Sequence, residues 1–117
     1  MDNKVNTRLV GMLGFAMRAG KLMIGTETVC KAMAKRGKDR LRLVLIATDA
    51  SEGTKKKILT KAEFYGITAT EINIDQGELG RLLGKLYAPA TVAITDDRFA
   101  EEIRRALDTD DSSGSTN

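Results

Sequence analysis

The chain has 117 residues, 42% of them hydrophobic and 30% charged, which suits one soluble domain with a core of its own and leaves little room for a second. It contains no His and a single Cys, so histidine-based acid–base catalysis, Ser–His and Cys–His nucleophiles, most zinc sites and an internal disulfide are excluded. The net charge of +3 hides an asymmetry: residues 1–61 carry fourteen Lys or Arg against five Asp or Glu, whereas residues 62–117 carry five against eleven, and a basic half of this kind is a cue for a polyanionic partner.

The pattern alternates helix and strand. Thr7 to Ala19 places Leu9, Met12, Leu13, Ala16 and Met17 on one helical stripe, and Gly20 is suited to end it. Lys21 to Ile24 is short and reads as extended. Thr26 is placed to cap a second helix with Val29, Ala32 and Met33 inward, and Gly37 is expected to stop it. Leu43 to Ala47 (LVLIA) reads as a strand covered on both faces. Asp49 and Glu52 have the spacing of a capping box, so a third helix should follow, with Ile58, Leu59, Ala62 and Tyr65 inward and Gly66 at its end.

Ile67 to Ile74 alternates and predicts a strand near a sheet edge. Asp75 to Gly84 predicts a short helix with Leu79, Leu82 and Leu83 inward. Ala90 to Thr95 (ATVAIT) predicts another buried strand, and Asp96 or Asp97 should cap a last helix carrying Phe99, Ile103 and Leu107. From Asp108 the sequence TDDSSGSTN follows, expected as a disordered polar tail. The whole predicts one α/β domain over residues 1–107, a three-layer α/β/α sandwich around a mixed sheet of about four strands.

The remaining chemistry is sparse. Cys30 has no second thiol or imidazole to work with and is expected to be buried. Asp96–Asp97 and Glu101–Glu102 fit helix capping and a solvated face better than acid–base or metal chemistry. Gly14 to Gly20-Lys21 has five intervening residues where a phosphate-binding loop needs four, and Leu22 stands where Ser or Thr would hold magnesium. Gly77, Gly80 and Gly84 have the spacing of helix packing or helix ends. No catalytic residue, cofactor or metal is expected. No apolar run approaches the roughly 20 residues of a membrane span, and MDNKVNTRLVG lacks the layout of a signal peptide, so a cytoplasmic protein is expected.

The basic residues concentrate in one stretch that includes Arg18, Lys21, Lys31 and Lys35. Lys31 and Lys35 are four apart, a spacing that puts both on one helix face with Thr28. Thr26, Glu27 and Thr28 occupy a first helical turn, whose free N–H groups can hold a phosphate. Glu27 can accept from the amino edge of a base. An ordinary solvated helix end accounts for the same spacing. Lys55-Lys56-Lys57 opens the third helix against its dipole, either simply solvated or serving an anionic partner.

Four stretches, LGFAMRAGKLMIGTETVCKA, LRLVLIATDASEGTKKKI, GELGRLLGK and ATVAITDDRFA, resemble the ribosomal L7Ae/L30e family of kink-turn RNA-binding proteins, in particular its small bacterial YlxQ-like branch, in the same order over residues 5–107. The resemblance implies an α/β/α sandwich that binds bent RNA without catalysis. In the family a Gly-x-Asn-Glu-x-x-Lys motif opens the helix that enters the kink. Gly25 and Lys31 match its Gly and Lys, while Glu27 stands in place of the Asn and Thr28 in place of the Glu. The family's base-packing loop matches Leu86 to Ala90, so Tyr87, Ala88, Pro89 and Ala90 are implied RNA contacts, with Tyr87 and Pro89 against an unstacked base. Arg18 and Lys21 would line the same edge and meet phosphates. The partner implied is structured, kink-turn-like RNA, ribosomal RNA included, with ribosomal or transcription and translation proteins around it. A monomer is expected. The alternative is a protein-interaction module of the same fold that has lost kink-turn specificity.

Overall fold

A computed structural model describes the backbone of residues 7–115 and side chains through residue 108. Five helices, α1 (Thr7–Arg18), α2 (Thr26–Ala32), α3 (Glu52–Tyr65), α4 (Gln76–Leu82) and α5 (Asp97–Ser115), surround four strands, β1 (Leu22–Ile24), β2 (Leu43–Ile46), β3 (Ala69–Glu71) and β4 (Thr91–Ile94). The strand order is β1-β4-β2-β3. β4 runs antiparallel to both its neighbours, and β2 and β3 are parallel across the α3 crossover. The sheet is therefore mixed, as expected. β2 and β4 are central and buried at every residue, whereas β3 is the edge predicted for it.

The period-two alternation of the central strands builds two cores, one on each face of the sheet. Leu43, Leu45, Val92 and Ile94 pack with Leu9 and Leu13 of α1, Leu79 of α4 and Ile103 of α5. Val44, Ile46 and Ala93 pack on the other face with Val29 and Met33 around α2, and with Ile58 and Ala62 of α3. This is the three-layer sandwich. Each fully buried Leu or Ile contributes about 1.5–3 kcal/mol relative to exposure, and both cores are supplied by aliphatic side chains because the chain has few aromatics.

Several local expectations are corrected. Gly25, at φ 110°, takes the N-cap position of α2, where no side chain caps the helix, and Thr26 is already its first residue. α2 ends at Ala32, well before Gly37, which instead opens a 3-10 turn over Gly37–Asp39. Ser51 rather than Asp49 caps α3, its Oγ accepting from Thr54 N at 3.1 Å. Asp49 accepts from Gln76 N at 2.9 Å and so ties the α3 entry to α4. Leu59 and Tyr65 of α3 face outward, because only the Ile58–Ala62 line meets the sheet. Asp75 caps α4 and Asp96 caps α5.

α5 is drawn to Ser115, so the segment expected as a disordered polar tail from residue 108 begins within this helix. No Pro interrupts it, and extending a formed helix needs no new nucleus. Residues 116 and 117 of that tail, and 1–6 of the expected domain, lie outside the described residues.

Candidate nucleic-acid interface

Thr91 is where the expected contact segments come together. This first residue of β4 is fully buried. Its carbonyl accepts from Gly25 N at 2.8 Å, and its hydroxyl lies 2.9 Å from the Thr26 hydroxyl. The entry to α2 is thereby fixed against β4. The segment that delivers the chain into Thr91 is the Leu86–Ala90 loop. Both segments therefore meet at one residue, at one end of the central strand β4.

Gly25 is well chosen for this corner. Its φ of 110° is a conformation that side-chain-bearing residues rarely adopt. With no side-chain cap, the first-turn N–H groups of α2 are left to solvent or a ligand. Glu27, Thr28 and Lys31 are exposed along α2, with Glu27 and Lys31 one turn apart on the same side. Glu27 is not idle: its Oε2 accepts from Lys57 Nζ of α3 at 3.1 Å. That hydrogen bond, with the attraction of the Glu27 charge, raises the Lys57 pKa above its ordinary value. Part of the Lys55–Lys57 run thus has a protein partner. Lys55 likewise reaches Glu71 at 3.4 Å.

The loop is held by α4. A Cβ at Gly80 would stand 2.5 Å from the Tyr87 carbonyl oxygen, so glycine is what allows the loop to lie on the helix. Lys85 N also donates to Gly80 O at 2.8 Å. Tyr87 is 55% exposed, and the adjoining Leu86 is fully exposed. Ala88 is exposed and Ala90 half-buried. Pro89 is buried, which corrects its expected role against a base: it can shape the loop but offers no free face.

Two expected contacts, Lys21 and Lys35, lie toward the other end of the strands. β1 pairs with β4 so that Ile24 faces Val92 and Leu22 faces Ile94. Gly25 is consequently at the Thr91 end, while Lys21 O accepts from Thr95 N at the other end. Four residues of extended chain separate them, roughly 13 Å at about 3.3 Å per residue. Lys21 shares a groove with Lys35, Lys38 and Arg42, whose acidic members include Asp39 and Asp96. Lys35 lies beyond the end of α2, so the expected Lys31–Lys35 helix face does not form. Arg18, at the end of α1, rests its guanidinium 5.0 Å from the centre of the exposed Phe15 ring.

Thr91, Gly80, Leu86 and Lys57 are the positioning or surface residues that the sequence reading did not assign to the site. For Thr91 the visible signal is a threonine opening an otherwise apolar strand, and for Gly80 its helix-packing spacing.

A family model for the ribosomal protein L7Ae/L30e/S12e/Gadd45 family matches residues 7–104. The chain belongs to that family. Among relatives, it is 32% identical over 109 residues to an RNA-binding protein YlxQ of Enterococcus faecium, covering 92% of this chain and 99% of the relative. It is 36% identical over 97 residues to the RNA-binding protein YlxQ of Bacillus subtilis, covering 83% and 92%. A solved Bacillus halodurans protein of unknown function superposes with a TM-score of 0.76 at 31% identity, covering 86% of this chain and 97% of that one. The family likeness and its YlxQ-like branch are thus as the four quoted stretches implied. Among the described residues, no group of three or more acidic or thiol side chains is placed to hold a metal ion, and no helix is long and apolar enough to cross a membrane.

Proposed function

We propose that this L7Ae-family chain is a non-catalytic RNA-binding protein that grips a kink-turn or similarly bent RNA at the Thr91 end. The observation that carries this reading is the junction at Thr91, where the uncapped first turn of α2 and the Tyr87 loop meet. In this reading the first turn and Lys31 hold phosphates, Thr28 and Glu27 face base edges, and Tyr87 with Leu86 packs on an unstacked base. Regular A-form RNA presents a deep major groove closed to side chains, so a bend that opens it is the feature such a surface needs. The relatives that carry the name RNA-binding protein YlxQ support the RNA class.

Glu27 differs from the amide usual in the family in that it only accepts, and Lys57 already holds one of its oxygens. Base reading therefore falls more heavily on Thr28 and on the loop than in a typical member. We further assign the protein to ribosome-associated work in the cytoplasm, as a monomer. A gel-shift titration against a kink-turn RNA at two salt concentrations tests the reading. Binding that weakens with salt is expected. A chain that fails to shift the RNA at low salt, while shifting none of its straight-helix controls, is a protein-interaction module instead.

A further inference from the structure

A second surface lies on the outer side of α3, away from the Thr91 junction. Phe64 is 79% exposed, and Tyr65 beside it is also open to solvent. Their rings meet edge to face, with centroids 4.9 Å apart. Apolar rings left in water are unfavourable, and an exposed aromatic pair with nothing packed on it marks a place of contact. Two grooves share this pair. One runs along α3 and carries Lys56, Lys57 and Lys61. The other reaches to the end of α2 and the turn after it, and carries Lys35, Arg36 and Arg40.

No carboxylate lines either groove. Glu63, next to the rings in sequence, is in neither. Lys57 is spent on Glu27, but among the described residues Lys35, Arg36, Arg40, Lys56 and Lys61 have no ion-pair partner. Lys61 Nζ stands 6.0 Å from the Tyr65 ring centre. This also gives a place to the part of the basic stretch, Lys35 to Arg40, that the Thr91 end does not use.

We propose that this face is a second RNA-contacting surface, which takes single-stranded RNA by stacking bases on Phe64 and Tyr65 and holding the adjoining phosphates on the flanking lysines and arginines. The chemistry selects the ligand. Rings set among unpaired cations match an alternation of base and phosphate, and stacking needs bases that are free of a duplex. A phosphate-rich ligand without bases would leave the rings uncovered. An apolar protein groove would leave five cations desolvated without partners. Lys31, Thr28 and Tyr87 take no part in this surface, which meets the kink-turn site through the Lys57–Glu27 pair.

The test is fluorescence anisotropy with a labelled oligouridylate of about a dozen nucleotides, which has no fold of its own. The full chain is compared with Phe64→Ala/Tyr65→Ala, with Phe64→Ala alone, and with Arg36→Glu/Arg40→Glu. Lys31→Ala/Tyr87→Ala serves as the control for the other site. Losing the rings should weaken binding about fivefold or more. Reversing both arginines should weaken binding and flatten the salt slope by at least roughly 1.4, two single-strand phosphates' worth. The control pair should lose less affinity than either aromatic variant does. Phe64 is 79% exposed, so Phe64→Ala should leave the melting temperature near that of the parent chain, and a melting curve beside each titration separates loss of binding from loss of fold. Failure of the parent chain to bind oligouridylate at low salt overturns the proposal. So does binding indifferent to both aromatic variants, or binding lost equally in the control pair. Failure of the kink-turn reading shows separately, as oligouridylate binding that persists in a chain that does not shift kink-turn RNA.

Discussion

The hydroxyls of Thr26 and Thr91, sixty-five positions apart in the chain, lie 2.9 Å from each other and join the start of α2 to the start of β4. The nearly isosteric Thr91→Val removes one partner of that bond inside a fully buried site. A net loss of about 1 kcal/mol is expected, and a fall in Tm of about 4–8 °C for a domain of this size. Thermal unfolding of Thr91→Val, Thr26→Val and the double variant measures it. If the two single losses simply add, the hydroxyls do not act as a pair.

Lys31→Ala is expected to weaken kink-turn RNA binding for every sequence tried and to lower the salt slope by roughly 0.7–0.9, the share of one phosphate. Affinities taken at four or five salt concentrations are the measurement. Equal slopes for variant and parent would remove Lys31 from the interface.

Tyr87→Ala should cost about 1–3 kcal/mol of RNA affinity if its ring lies on a base, with little change in stability because the side chain is exposed. Filter binding beside a melting curve separates the two effects. An unchanged Kd reduces Tyr87 to a loop residue.

Gly80→Ala sets two effects against each other. Alanine favours a helix over glycine by about 0.8–1 kcal/mol. The added methyl, however, would stand 2.5 Å from the Tyr87 carbonyl oxygen, and backbone must move to admit it. Overpacking of this kind costs about 1–3 kcal/mol, so a net destabilisation is expected together with weaker RNA binding through the displaced loop. Denaturant midpoints and RNA titrations on one preparation test both. A more stable variant with intact binding would falsify the close approach.

The Lys57–Glu27 pair makes a prediction in pH. The folded-state pKa of Lys57 is raised, its hydrogen bond with Glu27 being the larger cause. Its contribution is therefore complete below the unfolded value of 10.5 and fades as pH climbs through the higher folded value. Glu27→Gln should return the Lys57 titration, followed by NMR of the side chain, toward the unperturbed midpoint. High salt should do part of the same, since both groups are exposed.

The strands were the most legible part of the fold. LVLIA is apolar throughout and ATVAIT apolar but for its two threonines because both faces of β2 and β4 are covered, and that fact is written locally. Gly20 and Gly66 likewise carry the positive φ their positions imply. What sequence could not decide was competition between near-equivalent partners. Asp49 and Ser51 can both cap α3, and the choice falls to Ser51 because Asp49 is taken by Gln76 of a distant helix. Leu59 and Tyr65 fit a helical stripe on α3, but the sheet meets only a narrow line of that helix. At the candidate site, Gly25 and Tyr87 could be found from the resemblance. Their convergence on Thr91, and the removal of Lys21 and Lys35 to the far end of the sheet, depend on which way β1 pairs.

Among the described residues, β4 is the last strand to be made during synthesis, yet it is the only strand that β1 pairs with. Until residues 91–94 have been made, Gly25 has no carbonyl to donate to and Thr26 no hydroxyl partner. The proposed RNA grip therefore lacks its Thr91 anchor on a half-made chain. A growing polypeptide with a strongly basic first half would complete the proposed site only when nearly the whole domain is present.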